Sequence, residues 1–98
     1  MEVVWLKEST DDLKEIGHHI EKDNPIAAYQ VLVKIKASGD SLLHNPELGR
    51  VGRVKSTREL IVAGLPYILP YYIKKNQIRI LAVMHASRKW PDTFSNLP

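Results

Sequence analysis

The stretch Lys22-Asp23-Asn24-Pro25-Ile26-Ala27-Ala28 decides how this chain folds. Asparagine caps a starting helix with its side-chain oxygen. Proline at the first helical position lacks only an amide that would be unpaired anyway. Helix spacing runs up to this point and resumes after it, so two helices meet with a gap of about two residues, which predicts an antiparallel helical hairpin. Upstream, Leu13, Ile16, Gly17 and Ile20 define the first helix over Lys7 to Lys22, with Ser9, Thr10, Asp11 and Asp12 suited to its orphan amides and positive dipole end. Downstream, Ala28, Val31, Leu32, Ile35 and Leu42 form one apolar stripe, with Lys34, Lys36 and Asp40 outside, until His44-Asn45-Pro46 ends the second helix. Gly39 lies inside that helix at a cost of about 1 kcal/mol relative to alanine and is expected to bend or weaken it.

Farther out the pattern turns to strands. Val3 to Leu6 combine β-branched and aromatic residues, and Leu60 to Ala63, Tyr67 to Ile73 and Ile78 to Met84 form three more runs. Gly64-Leu65-Pro66 and Lys74-Lys75-Asn76-Gln77 connect them so tightly that they must be antiparallel neighbours. Pro70 donates no ladder bond, so a local irregularity is expected there. The order β-α-α-β-β-β describes a single α+β domain over residues 1–98, in which a helical hairpin covers one face of a small antiparallel sheet.

The 98 residues suffice for one core, which excludes a two-domain enzyme closing over a cleft. With no cysteine there is no disulfide scaffold, Cys zinc site or thiol catalysis. The amino-terminal run Met1 to Lys7 is too short and too polar for a signal peptide or membrane span, so the cytoplasm is the expected compartment. The net charge of +3 hides an asymmetry: Met1 to Gly49 hold five lysines against nine acids, a balance of −4, and Arg50 to Pro98 hold nine cations against two acids, a balance of +7. A basic half points to an anionic partner: nucleic acid, an acidic protein segment or the chain's own acidic half.

Four groups are candidates for function. Arg50, Arg53, Lys55 and Arg58 stand around Gly49 and Gly52 as a flexible basic segment able to hold phosphates or an acidic peptide; the plainer reading is a loop whose charges answer the acidic first helix. His85, followed by Arg88, Lys89 and Trp90, could do acid–base work on a phosphodiester with Arg88 stabilising charge, but Asp92 is the one carboxylate near it in sequence. Adjacent His18 and His19 point about 100° apart on a helix, so no metal site is expected. Tyr67, Tyr71 and Tyr72 beside Lys74 and Lys75 could stack on bases, although Tyr67 and Tyr71 more simply share the core with Leu69.

The chain resembles the RelE/ParE superfamily of bacterial type II toxins, most closely the ParE branch. The residues that carry the likeness are Trp5, Asp12-Leu13 and Ile16, Asn24-Pro25 with Ala27-Ala28, Asn45-Pro46 with Gly49-Arg50 and Gly52, Thr57-Arg58-Glu59-Leu60, Pro66-Tyr67-Ile68, Tyr71, Ile80 to Val83, and His85-Ala86-x-Arg88-x-Trp90-Pro91. The resemblance implies a toxin without a cofactor, neutralised by a cognate antitoxin whose carboxy-terminal segment wraps it. RelE-like members cut messenger RNA on the ribosome, and one of their arginines stands on the middle strand; matching that segment puts Ile68 in its place. Arg88 matches the arginine after the last strand, and Arg58 approximates an upstream basic position, so a nuclease here would use Arg58, His85 and Arg88. ParE-like members lack the ribonuclease set and inhibit DNA gyrase by binding, with no chemistry of their own. The resemblance therefore implies a gyrase poison first, a ribosome-dependent endoribonuclease second, and a non-toxic nucleic-acid-binding homologue third. Expected contacts with target or antitoxin are Arg50, Arg53, Lys55, Arg58, Arg88, Lys89 and Trp90, within Arg50 to Arg58 and the tail Arg88 to Phe94.

Overall fold

The computed structural model describes residues 1–94 and 97. Its elements are β1 (Glu2–Trp5), α1 (Lys7–Glu21), α2 (Pro25–Asp40) continued by a 3-10 turn (Ser41–Leu43), β2 (Arg50–Val51), β3 (Arg58–Ile61), β4 (Tyr67–Lys74), β5 (Gln77–Ile80) and β6 (Met84–His85). Asn24 caps α2 as its sequence demands, its Oδ1 accepting from the Ala27 amide at 3.0 Å, with Pro25 opening the helix. The start of α1 differs from expectation. No side chain caps it; Ser9 and Thr10 donate back to the carbonyls of Leu6 and Lys7, Asp11 pairs with Lys7, and the Asp12 carboxylate points away from the helix to accept from the Val83 amide. These four residues lie inside the first turns, too far along to reach the first amides.

The sheet runs β1-β5-β4-β3-β2, with β6 also on β4. It is mixed, which corrects the antiparallel expectation: β1 lies parallel to β5, Val3 beside Ile78 and Trp5 beside Ile80. Tight turns dictate direction only for β3, β4 and β5. β1 is joined to the rest through the helical hairpin, a crossover long enough to permit parallel pairing. Lys75 (φ 51°) and Asn76 (φ 63°) make the two-residue turn between β4 and β5, and Lys74 and Gln77 form its closing pair.

The run Ile78 to Met84 does not form one strand. Ile80 pairs with Tyr71 and Met84 with Ile68, so Leu81-Ala82-Val83 face only Leu69-Pro70, a bulge of one extra residue. Pro70 sits there, its carbonyl accepting from Leu81 N at 2.9 Å while no ladder amide is demanded of it. The strand β2 is a further element absent from the sequence reading.

Both faces of the sheet are covered. On the helix side Ile35 and Leu42 pack against Leu60, Val62, Leu69, Tyr71, Ile78, Ile80 and Val83. On the other side Val54, Tyr72, Leu81, Ala82 and Phe94 form a second cluster, joined by Leu6, Met84 and Trp90. α2 runs through Gly39 as one helix to Asp40. A Cβ there would stand 2.3 Å from Trp5 Cζ2, so glycine is the seat of the Trp5 indole, whose N–H donates to Asp40 at 3.0 Å.

Candidate functional site

The basic segment is a folded loop, in contrast to the flexible one expected. β3 turns Glu59 inward until it is 2% exposed, and a buried carboxylate requires charged or hydrogen-bonded partners. Arg50 supplies Nε and Nη2 at 3.2 and 3.0 Å, and Arg53 supplies its amide at 2.7 Å, Nε at 3.1 Å and Nη2 at 3.2 Å. Burial works to raise the Glu59 pKa, but the hydrogen bonds from Arg53 and Arg50 outweigh it and hold the carboxyl below its ordinary value. Arg53 also stacks over the Trp90 ring at 3.8 Å. The two arginines answer Glu59, not the acidic first helix.

Arg58 donates to the Gly49 carbonyl at 2.8 Å, and Tyr71 anchors the same loop from the core, its hydroxyl accepting from Gly49 N at 2.9 Å and donating to the Pro46 carbonyl at 2.7 Å. Burial raises the Tyr71 pKa, keeping the phenol in the form that can donate. Lys55 and Lys89 are exposed and make no ion pair among the described residues. Trp90 is half-buried, packing in the second cluster, so it reads first as part of the fold.

At the opposite end of β4 lies a cleft of about 440 Å³ between α1 and the end of the sheet. Asp12, Glu15, His18, His19 and Lys22 line one wall, and Tyr67, Val83, His85 and Arg88 line the other. The structure thus provides the carboxylates that sequence proximity did not reveal. Asp12, Glu15, Ile16 and His19 recur at three- and four-residue spacing, a helix-face signal that could have revealed them. Asp12 is already engaged: Oδ2 accepts from the Val83 amide at 2.9 Å, the amide that the bulge frees from the ladder. Burial raises the Asp12 pKa, with Glu8 and Glu15 adding to the rise and Val83 N and Arg88 opposing it. His85 stands edge-on to Tyr67 at 5.7 Å, and its Nδ1 accepts from Ser87 N at 3.1 Å. Among the described residues no hydrogen bond joins His85 to a carboxylate. His18 and His19 belong to no candidate metal cluster among the described residues.

Arg58 and His85 are not brought together. Arg58 pairs with Tyr71 and His85 with Tyr67, on opposite sides of β4. Four residues of strand separate them by about 13 Å along β4, with two strand spacings, about 9.5 Å, across it. Ile68 is 5% exposed, its backbone between Ile61 and Met84.

The two-helix hairpin on a mixed sheet with its basic loop lies within the part of the chain that matches a family of type II toxin–antitoxin toxins. Residues 3–90 match the family model described as ParE toxin of type II toxin-antitoxin system, parDE, and the chain belongs to that family. It is 48% identical over 90 residues to "Putative toxin Y4kP" of Sinorhizobium fredii, covering 92% of this chain and 93% of the relative. It is 34% identical to "Toxin RelE2" of Caulobacter vibrioides, covering 89% and 97%. A solved structure of the chromosomal ParDE toxin–antitoxin system from P. aeruginosa shares the fold at a TM-score of 0.80 and 24% identity, over 89% of this chain and 97% of that one. No helix among the described residues is long and apolar enough to cross a membrane.

Proposed function

We propose that this toxin acts in the cytoplasm by binding DNA gyrase and blocking replication, and that a cognate antitoxin neutralises it. Ile68 is the observation that carries the choice of target. A buried isoleucine cannot hold a phosphate where the resemblance to RelE-like nucleases calls for an arginine. The wide separation of Arg58 from His85 points the same way, since a phosphodiester transition state needs its acid, base and cation around one phosphorus.

Contacts with gyrase or antitoxin are assigned to the exposed cations Lys55, Arg88 and Lys89 and the outer edges of Arg50, Arg53 and Arg58, with Trp90 shaping the surface beneath Arg53. A surface of this sign suits an acidic antitoxin segment.

Purified toxin is to be assayed for gyrase supercoiling and accumulation of cleaved gyrase–DNA complex, beside cleavage of messenger RNA on programmed ribosomes. Inhibited gyrase with intact messenger supports the reading; codon-dependent cutting with untouched gyrase would sink it in favour of the ribonuclease. Arg88→Ala should fold normally and inhibit growth less; full toxicity removes Arg88 from the contact surface.

A further inference from the structure

The fold sorts the charge of the chain onto opposite sides of the sheet. The hairpin from Lys7 to Asp40, which covers one face, carries five lysines against seven acids. The other face is cationic. Alternation along β4 and β5 puts Lys74 and Arg79 on the same side as Tyr72, which packs in the second cluster, and Arg50 joins them through its pairing with Glu59 opposite Pro70. Val54 and Trp90 belong to that cluster as well, so their chain neighbours Arg53, Lys55 and Lys89 stand over the same side. Glu59 is buried beneath Arg50 and Arg53, and Glu2 is bonded to Gln77. Glu8 and Asp12 border this side at the end away from Lys74, by Pro91 and Phe94.

What the face lacks selects its partner. A docking protein binds through apolar or aromatic anchors, and single-stranded nucleic acid through rings on which its bases stack. Here Tyr72 and Phe94 are buried, and the Trp90 ring is covered by the Arg53 guanidinium. Of the exposed apolar residues on the described strands, Val51 and Ile73 alternate to the helix side, while Ile61 lies level with Ile68, about 20 Å down β4 from Lys74. Lys55, Lys74 and Lys89 make no ion pair among the described residues, and Arg79 is held in place by Gln77 Oε1 at 2.9 Å and the Tyr72 hydroxyl at 3.2 Å. Duplex phosphates ask for cations and little else. Sheet spacings put Lys74 and Arg50 about 16 Å apart, wider than a major groove of about 12 Å, so phosphates of both strands lie within reach.

We propose that the sheet face opposite the helical hairpin is a sequence-independent contact surface for the phosphate backbone of duplex DNA. The inference rests on the gyrase reading, because gyrase holds a duplex and the toxin then meets enzyme and DNA together.

The test is fluorescence anisotropy of a labelled duplex of about 20 base pairs titrated with the full-length toxin, without gyrase, at about 50 to 200 mM salt. The expected dissociation constant is on the order of 10 μM at about 100 mM salt, and log K should fall with log salt at a slope of about −3 to −4, as for some four phosphate contacts. Lys55→Gln and Lys74→Gln together should weaken binding about 10-fold or more and flatten the slope by about two. Lys14→Gln and Lys34→Gln together remove the same charge from the hairpin and should leave the affinity within about twofold. No binding at about 50 mM salt, or equal losses from the two pairs, overturns the proposal. So does single-stranded RNA or polyglutamate binding as tightly as the duplex, since the face would then serve a messenger or an acidic protein segment. The two readings fail separately: inhibited gyrase without DNA binding overturns this proposal alone, whereas DNA binding lost on Lys55→Gln and Lys74→Gln supports it even where gyrase is untouched.

Discussion

Replacing Glu59 with glutamine or alanine isolates what organises the basic loop. The carboxylate is almost fully buried and accepts five hydrogen bonds, four from guanidinium groups and one from the Arg53 amide. Arg50 and Arg53 are about half exposed, so on losing their acid they can turn to water, and the full penalty of stranding a buried cation does not apply. What remains is the loss of charge-assisted bonds and an Arg53 amide left without its acceptor, together about 3 kcal/mol for Glu59→Ala and about 2 kcal/mol for Glu59→Gln, which keeps an acceptor for that amide. For a domain of this size 3 kcal/mol lowers Tm by about 15 °C. Urea melts at pH 7 measure the difference. The sign with pH follows from the depressed pKa: the Glu59 carboxylate contributes its full stability above its ordinary value of 4.5 and loses it as pH falls through the lower folded value. The gap between wild type and Glu59→Gln should therefore close on acidification below about pH 4.5. A loss under 0.5 kcal/mol at pH 7, or a gap that widens in acid, would refute the reasoning.

Other expected outcomes test other joints. Asp12→Ala strands the Val83 amide at the bulge and should cost about 1–2 kcal/mol in denaturant melts. Asp12→Asn, which keeps an acceptor while removing a carboxylate whose pKa burial has raised, should cost nothing at neutral pH. Gly39→Ala should destabilise by about 1–3 kcal/mol despite alanine's higher helix propensity, because the new methyl overlaps the Trp5 ring; a raised Tm would refute that packing argument. Tyr71→Phe should lower stability by about 1–3 kcal/mol and increase amide exchange at Gly49, which loses its hydroxyl partner.

Much of the fold was legible because its signals are local. Asn24-Pro25 sets the hairpin with nothing more distant than the Ala27 amide, and the Lys75-Asn76 turn sets the register of β4 on β5 within four residues. What Gly39 is for was not legible, for the opposite reason. A helix propensity is an average over exposed contexts, whereas the indole that needs the space comes from Trp5, 34 residues away. The candidate site divides in the same way. Arg50, Arg53 and Arg58 were recognisable as a cluster, but their partner Glu59 reads in sequence as one acid among many cations; only its burial on β3 makes it the centre that immobilises them.

The sequence by itself determined the helical hairpin, the run of antiparallel strands, the asymmetry of charge and, through a family resemblance, the class of protein. The tertiary structure alone decided that β1 lies parallel to β5, that the tail after β6 covers the second face, and that Asp12 and Glu15 face His85 and Arg88. The first set follows from propensities and turns that act over a few residues. The second depends on residues as far apart as Asp12 and Val83, whose proximity exists only once the chain has buried its core.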